Sequence, residues 1–490
     1  MNTRRLIPLI LLSASLCACQ QQSSLYPDIA DTSRNELQIS SNDTALVSIF
    51  HWASERSESY VGEDTDPVGP WYEAALPERE AFCMRDISHQ CIGEEINGHG
   101  RQNLNMFTRF VENISEAKDY CTYWEINKDN LPAPVDYEND QDFWYNLNAN
   151  FDLMDACYRL YLWTGERRYI SDPRFLNFFR LTSREYIERW QLEPDRIMQR
   201  RAVMNVRGDV SQKRFKRVRG LPSYEESVPH LKVTGDLLAT MFRGLHSYAS
   251  ILELNDEKAE AEAVRRQAEA YAQLYDSLWW NPASGNYYSY CLDDDTFSEG
   301  GTNMFPLRFG IARQPERIQS ILHLMETVET NVETMSYYPL LFCQYGKPGI
   351  ARRFIDELYR NERRDYPEVS SGLLEGIVCG VAGVQAHAAE QTLSTCPQLP
   401  APTEWLALEN IPVFSGSISL IHYNNRKTAL VNKTGEAFVW RACFPGEWEL
   451  ILLDGEPLAV RQGSDALGNR YSYAEVECPK GVTLTLEAIN

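Results

Sequence analysis

Apolar residues recur three and four positions apart through most of the chain up to about residue 390, which is the spacing of one face of an α-helix. The pattern predicts twelve helices, and the later ones are shorter than the earlier ones. They run over residues 44–58, 82–96, 101–114, 143–162, 174–190, 228–254, 258–279, 303–311, 316–327, 334–343, 350–359 and 370–389.

These helices alternate in character along the chain. Residues 174–190 and 258–279 are charged on one face and apolar on the other, whereas 228–254 and 370–389 are apolar nearly all round or rich in Gly and Ala. An amphipathic helix faces water on one side, and a helix that is apolar all round is buried. The alternation therefore predicts a ring in which outer and inner helices follow each other.

The pattern changes at Gln398, where Pro400, Pro402 and Pro412 predict a linker. Short runs that alternate between apolar and polar residues follow, and alternation with a period of two is typical of β-strands. The sequence therefore predicts a helical catalytic domain over 44–395 and a small β-sandwich with a structural role over 396–490. Its strands are expected at 418–423, 428–431, 437–442, 448–453, 458–461, 471–476 and 482–486.

Composition limits the class of partner. The net charge of −22 disfavours nucleic acid, because such a chain repels phosphate. The 26 Tyr and 11 Trp residues instead favour surfaces that stack on sugar rings. The cysteines form no Cys-x-x-Cys pair, so we expect no metal and no cofactor.

The N-terminus has the pattern of an export signal. Arg4 and Arg5 precede an apolar run that is too short to span a bilayer, and Cys17-Ala18-Cys19 then resembles a bacterial lipobox. We expect residues 1–18 to be a signal peptide, Cys19 to be acylated and 19–43 to be a tether. The mature protein would then be exported and lipid-anchored to a bacterial membrane, most simply the outer membrane or the cell surface. The alternative is an ordinary secretory signal.

Acidic and aromatic clusters lie directly before alternate helices. A helical ring with such clusters, followed by a β-sandwich, resembles the six-hairpin glycosidases, the (α/α)6-barrel hydrolases that include glucoamylase-like and trehalase-like enzymes. The resemblance covers 44–390 and implies a mainly α fold, an (α/α)6 toroid. It also implies an oligosaccharide or polysaccharide substrate that binds at the N-terminal ends of the inner helices. The fuller signature segments of trehalases and glucoamylases are absent.

Two clusters are candidates for substrate binding. Arg85 and Asp86, followed by His89, resemble the pair that grips sugar hydroxyls in glucoamylase-like enzymes. The alternative is a capping aspartate beside a solvated arginine. The second cluster lies in a proline-rich loop before residue 146, and its aromatic members are equally compatible with core packing. It comprises Trp124, Asp140, Trp144 and Tyr145.

Two further clusters are candidates for catalysis. The resemblance implies that a Glu at the junction Tyr224-Glu225-Glu226 is the general acid, and adjacent carboxylates raise each other's proton affinity. It implies that Glu368, after Tyr366, is the general base. The alternative for each is a carboxylate that favours a helix start. Tyr224, Tyr366 and Glu299 are candidate substrate contacts, as are the segments 298–303 and 331–333.

Two opposed carboxylates on a sugar are the requirement for an inverting hydrolase. Basic residues at 200–219, next to the candidate acid, favour either a solvated loop or a uronate-containing substrate. Two other classes remain open. A polysaccharide lyase would use His89, His230 or Tyr224 as its base, and a glycan-binding lipoprotein would have no activity.

Overall fold

The computed structural model describes residues 37–76, 79–200, 219–300 and 304–490. Two kinds of helix alternate within these residues. Helices of the first kind pack on one another and are mostly buried; buried helices 1 to 6 are, in order, Met84–Ile96, Ala149–Thr164, Gly235–Leu254, Phe305–Arg308, Tyr338–Gln344 and Pro367–Glu375. Helices of the second kind bury one face; flanking helices 1 to 6 are Thr44–Glu58, Gly100–Val111, Pro173–Leu181, Lys258–Leu278, Pro315–Thr327 and Pro348–Arg360.

The buried helices contact one another in chain order. Buried helix 1 packs against buried helices 2 and 6, buried helix 3 packs against 2 and 4, and buried helix 5 packs against 6. Buried helices 4 and 5 meet where the Arg308 guanidinium lies 5.4 Å from the centre of the Tyr337 ring. Each buried helix therefore neighbours the next one along the chain, and the last neighbours the first.

Glycine permits the close approach of buried helices 1 and 6. A Cβ atom on Gly93 would lie 2.1 Å from the carbonyl oxygen of Ser371, well inside van der Waals contact. Gly244 has the same role between buried helices 3 and 2, because its Cβ would lie 2.6 Å from the carbonyl oxygen of Phe151. The small residues of the apolar helices thus set the distance between their axes.

Two β-sheets follow the helices. The seven-stranded sheet has the order Gln38–Ser41, Trp405–Val413, Gly416–Tyr423, Lys427–Asn432, Thr483–Ile489, Leu450–Leu453, Glu456–Leu458. The five-stranded sheet has the order Val384–His387, Thr392–Thr395, Phe438–Pro445, Arg470–Cys478, Arg461–Ser464. Both sheets bury apolar side chains in the core that the helices share. Strands 38–41, 384–387 and 392–395 come from outside 396–490.

Shorter elements connect these parts. Three short helices lie between the longer ones, at Arg168–Ser171, Ile187–Arg189 and Val332–Met335. One π-helical turn, Thr182–Tyr186, follows flanking helix 3, and another, Gly376–Val381, follows buried helix 6. Short strands pair in the loops, at Ala81–Cys83 with Glu125–Asn127, Tyr137–Asn139 with Asp142–Phe143, Tyr145–Asn146 with Arg219–Leu221, and Trp280–Asn281 with Asn286–Tyr287. Leu231–Thr234, Tyr290–Leu292 and Phe297–Ser298 form a three-stranded sheet beside buried helix 3.

The predicted helix at 228–254 begins seven residues later than expected. Leu231–Thr234 is a strand that pairs with Tyr290–Leu292, and the Thr234 hydroxyl accepts a hydrogen bond from the Leu237 amide, which fixes the helix start at Gly235. Glu225 and Glu226 therefore lie in a loop and not in the first turn of a helix. The alternative role as helix-start carboxylates is wrong for both.

Other predictions also differ from the structure. The helix predicted over 143–162 begins only at Ala149, because the residues before it form the short strands Asp142–Phe143 and Tyr145–Asn146. The segment predicted as a linker contains the nine-residue strand Trp405–Val413, which tolerates Pro412 close to its end. The predicted helix 370–389 stops early, because Pro367–Glu375 continues only through a π-helical turn before the strand Val384–His387. No helix among the described residues combines the length and hydropathy needed to cross a membrane.

Candidate active site

A cavity opens at the N-terminal ends of the buried helices. It offers about 300 Å³ to the centre of a water molecule. Arg85, Asp236, Glu333 and Glu368 line it, and each is the second residue of its helix. The convergence of helix starts therefore gathers these side chains, and the helix dipoles favour the carboxylates there. The remaining lining residues are His89, Ser223, Tyr224, Glu225, Ser289, Tyr290, Gly300, Phe305, Glu329, Thr330, Asn331, Thr334 and Tyr337.

The Arg85 guanidinium faces three carboxylates. Its Nε lies 3.3 Å from Oδ1 of Asp86, its Nη1 lies 3.6 Å from Oε1 of Glu226, and its Nη2 lies 3.8 Å from Oε2 of Glu333. These carboxylates come from buried helix 1, the loop before buried helix 3 and the short helix Val332–Met335. One cation thus links three segments at the cavity.

Aromatic rings hold the same guanidinium from two sides. The Cζ of Arg85 lies 5.8 Å from the ring centre of Trp124 and also 5.8 Å from that of Tyr224. A planar guanidinium above aromatic faces gains cation–π attraction. The Tyr224 ring in turn stacks on Phe305, with ring centres 4.5 Å apart.

A buried chain of polar groups forms the floor of the cavity. Nε2 of His89 lies 3.5 Å from Oδ2 of Asp152, and its Nδ1 lies 4.0 Å from Oε1 of Glu368. The Tyr224 hydroxyl donates a hydrogen bond to the same Asp152 oxygen. Burial, with Arg308 and Arg85 nearby, lowers the pKa of His89 well below its ordinary value, so the imidazole is neutral at neutral pH.

The carboxylates of the floor have a high proton affinity. Burial raises the pKa of Glu368 well above its ordinary value, and the charges of Asp86 and Glu333 add to this effect while Arg85 opposes it. Burial also raises the pKa of Asp86 and of Asp152. Groups with raised pKa values in a cavity are suited to move protons near neutral pH.

The two adjacent glutamates differ in surroundings. Glu225 is exposed, lines the outer cavity and accepts hydrogen bonds from the amide and hydroxyl of Ser227. Glu226 does not line the cavity itself, but it faces the lining residue Arg85 and accepts a hydrogen bond from Nδ2 of Asn146 at 3.2 Å. The pKa of Glu226 is raised by its withdrawal from water, although Arg85 and Asn146 act in the opposite direction. Glu226 therefore has the better environment for an acid.

The structure brings some predicted substrate-binding residues to the cavity or against it. Arg85, His89 and Tyr224 line it. Asp86 and Trp124 lie directly behind Arg85. Tyr366 is buried beside the same group, and its pKa is raised by burial and by the charges of Asp86 and Glu368.

Other predicted residues lie elsewhere. The Tyr145 hydroxyl donates to Oδ1 of Asn150 at 2.5 Å within the core, and Trp144 is also buried away from the cavity lining. Asp140 accepts a hydrogen bond from Tyr137 at 2.7 Å, and Glu299 accepts one from Nδ2 of Asn281 at 2.6 Å. None of these four lines the cavity. For the two aromatic residues, the structure matches the core-packing alternative.

Sequence reasoning missed several members of the site. Asp236 accepts hydrogen bonds from the Tyr224 amide at 2.6 Å and the Ser223 hydroxyl at 3.2 Å. The sequence pattern predicts a helix start at residue 228, so Asp236 falls inside the predicted helix and is not indicated as a site residue. Asp152 lies one turn inside buried helix 2, and Tyr337 precedes buried helix 5. A buried aspartate inside an apolar helix was the available signal for Asp152.

Several predictions concern residues outside the described part of the chain. These are the signal peptide at 1–18, the acylated Cys19, the tether as far as residue 36, most of the basic stretch at 200–219, and residues 301–303 of the predicted contact segment. Arg200 is described, and it is buried with its guanidinium donating to the carbonyls of Trp190 and Lys232.

Known structures with a similar fold include two rhamnosidases and a protein described as a phosphorylase. The GH78 family rhamnosidase of Bacillus sp. GL1 matches with a TM-score of 0.56 and 12% identity, over 81% of this chain and 40% of that one. An α-L-rhamnosidase from Dictyoglumus thermophilum matches with a TM-score of 0.63 and 10% identity, over 93% and 50%. A protein from the human microbiome described as a kojibiose phosphorylase matches with a TM-score of 0.55 and 10% identity, over 92% and 63%.

At these identities the likeness shows the fold. The matched part of the chain spans between 40% and 63% of the length of these three proteins. No protein-family model matches the chain, and no curated protein sequence matches it.

Proposed function

We propose that this protein is a glycoside hydrolase built on an (α/α)6 toroid with a C-terminal β-sandwich. Two features support the toroid: the closed series of contacts among six buried helices, and the fold shared with two rhamnosidases. The cavity at the helix starts lies where the six-hairpin resemblance places the sugar. Its carboxylates can accept hydrogen bonds from the hydroxyl groups of a glycan, and its arginine can donate hydrogen bonds to them.

One observation carries the catalytic assignment. Glu368 is buried at the floor of the cavity, whereas Glu226 keeps 41% of its side-chain exposure beside Arg85. The reacting sugar enters the closed end, so its leaving group points toward the opening. Glu226 is then the general acid and Glu368 is the general base.

The chemistry follows from these two positions. Glu368 takes a proton from water as the water oxygen bonds to the anomeric carbon from one face. The bond from that carbon to the glycosidic oxygen breaks on the other face, and the leaving oxygen takes the proton of Glu226. Attack opposite to the leaving group inverts the anomeric configuration.

The charges of the described lining favour a neutral sugar over a uronate. Five carboxylic acids line the cavity, and Arg85, its only described arginine or lysine, already faces three carboxylates. A uronate would add a negative charge to this set. The acids that line the cavity are Glu225, Asp236, Glu329, Glu333 and Glu368.

Attachment to a membrane through an acylated Cys19 is a second part of the proposal. It rests on the lipobox-like sequence before that residue. Metabolic labelling with a palmitate analogue tests it: the full chain should incorporate label and fractionate with membranes, whereas Cys19→Ser should do neither. Soluble, unlabelled full chain would contradict the anchor.

A product assay tests the reaction. The chain is incubated with neutral and uronate-bearing glycans, and proton NMR follows the anomer that forms first. Sugar release with inversion, lost in Glu368→Gln and kept in the exposed flanking-helix control Glu357→Gln, is the expected result. Products that absorb in the ultraviolet would identify a lyase, and release that requires inorganic phosphate would identify a phosphorylase. Binding without release would identify a glycan-binding protein.

A further inference from the structure

A second, much smaller compartment shares lining residues with the cavity. It offers about 10 Å³ to the centre of a water molecule. Glu368, His89 and Tyr337 line both spaces, and Gln90 and Glu375 line only the smaller one. Glu226 is not among the residues that line it. The compartment therefore adjoins the candidate base, and Glu226 lines neither space.

Two side chains at this compartment have unpartnered polar atoms. Neither Oε1 nor Nε2 of Gln90 has a hydrogen-bond partner among the described residues, and the side chain is only 2% exposed. The Tyr337 hydroxyl is also buried and has none among them. Leaving such groups unpaired costs about 1–3 kcal/mol each, so buried polar groups in native proteins nearly always bind protein or water.

The volume of the compartment fits one water molecule and no larger ligand. A buried water needs at least about 10–15 Å³ of this kind of space and two to four polar partners. Gln90 supplies a donor and an acceptor, Glu368 supplies acceptors, and Tyr337 supplies a hydroxyl. A phosphate ion, with four oxygens around phosphorus, is too large for the same space.

We infer that this compartment holds the water that attacks the glycosidic bond, and that Gln90 and Tyr337 are its hydrogen-bond partners beside Glu368. The inference rests on the proposed hydrolase and makes it more specific. Gln90 accepts one hydrogen of the water, Glu368 takes the other as a proton, and the oxygen lone pair points into the cavity. Water in place of phosphate makes the reaction hydrolysis and not phosphorolysis.

Replacing the amide by an apolar group of similar length tests this role. Gln90→Met should lower kcat about 100-fold, within the range that general acid–base catalysis contributes, while glycan affinity measured by calorimetry stays that of the wild type. Tyr337→Phe should lower kcat less, because it removes one hydroxyl, whereas Gln90→Met removes both an acceptor and a donor. The matched control is Gln314→Met, whose amide bonds Asp276 at 2.9 Å away from the cavity. It should turn over like the wild type.

Crystal structures separate this inference from the proposed function. We expect density for one water between Gln90 and Glu368 in the wild type and its loss in Gln90→Met. A dry compartment in the wild type, or wild-type turnover in both Gln90→Met and Tyr337→Phe, would overturn the inference. A bound water in a chain that releases no sugar from any glycan would overturn the hydrolase and, with it, the catalytic role of the water.

Discussion

Nη1 of Arg85 lies 3.6 Å from Oε1 of Glu226, which joins the start of buried helix 1 to a loop 141 positions further along the chain. The loop has no helix to hold Glu226, because buried helix 3 begins only at Gly235. Arg85 and Asn146 therefore fix where this carboxylate points. Among the described residues, the adjacent Glu225 has no comparable contact, and it accepts a hydrogen bond from the Ser227 amide in its own loop.

This difference predicts which glutamate is the acid. Glu226→Gln should lower kcat/KM on an unactivated glycan about 100-fold or more, because the leaving oxygen no longer receives a proton. The loss should shrink on aryl glycosides whose leaving groups need no proton. The measurement is kcat/KM across a series of leaving groups, which should show a steeper dependence on leaving-group pKa than in the wild type.

Glu225→Gln is the matched control for this prediction. It makes the same change one residue away and should keep the wild-type dependence on the leaving group, because Glu225 faces solvent at the outer cavity. A larger loss in Glu225→Gln than in Glu226→Gln would exchange the roles of the two residues.

The pH dependence of activity follows from the surroundings of Glu368. A general base must be ionised, so kcat/KM should fall as the pH drops through the pKa of Glu368. Burial and the charges of Asp86 and Glu333 raise that pKa well above the ordinary value of 4.5. The acidic limb of the pH profile should therefore lie well above pH 4.5.

Asp86→Asn should move this limb to lower pH. The substitution removes a negative charge that raises the pKa of Glu368, so the base stays ionised in more acidic solution. The midpoint of the limb is measured and not the maximal rate, since Asp86 also holds Arg85 at 3.3 Å. A limb that stays in place or moves to higher pH contradicts the assignment of Glu368 as base.

The parts of the site that sequence alone predicted are those next to clear helix starts. Arg85 and Glu368 each lie at or near the start of a strong apolar period, and both reach the cavity. The predicted start of buried helix 3 is wrong because the strand Leu231–Thr234 contains apolar residues that fit the spacing of the helix after it. That error placed the glutamate pair directly before a helix start and placed Asp236 inside the helix.

A short stretch of sequence also does not show how deeply its residues are buried, because burial depends on packing between distant segments. Tyr145 and Trp144 look like stacking residues in a loop, but long-range packing places them in the core. Gln90 looks like an ordinary polar residue in a helix, but long-range packing buries it beside residues of buried helices 5 and 6. The strand Trp405–Val413 was hidden by its flanking prolines, although its partners supply most of its hydrogen bonds.

Substitution of Gly93, which lies between buried helices 1 and 6, should lower the stability of the fold. Gly93→Ala would put a methyl group 2.1 Å from the Ser371 carbonyl oxygen, so the helices must separate. Overpacking of this kind costs about 1–3 kcal/mol and occasionally more. The free energy of unfolding in urea measures it. Gly349→Ala, in flanking helix 6 with no atom within 4 Å of the added methyl group, is the control and should be neutral or slightly stabilising.

The raised pKa of Asp236 predicts how the free energy of unfolding depends on pH. Burial raises its pKa to about 7 in the folded chain, against an ordinary value of 3.8, although hydrogen bonds from Ser223 and Thr234 act in the opposite direction. Between these two values the folded state binds more protons than the unfolded state, so the free energy of unfolding falls as the pH rises. The stabilisation is complete below about pH 3.8 and is lost as the pH passes about 7, with each pKa unit equivalent to about 1.4 kcal/mol.

Asp236→Asn should remove the contribution of Asp236 to the fall in the free energy of unfolding with rising pH. The amide stays neutral at every pH, and its oxygen can still accept the hydrogen bond of the Tyr224 amide. Urea unfolding at pH 5 and pH 8 should therefore show a smaller difference in the variant than in the wild type. Asp129→Asn, which changes an exposed carboxylate, should keep the wild-type difference. An equal difference in all three proteins would mean that Asp236 is ionised in the folded chain across this range, and that its hydrogen bonds outweigh its burial.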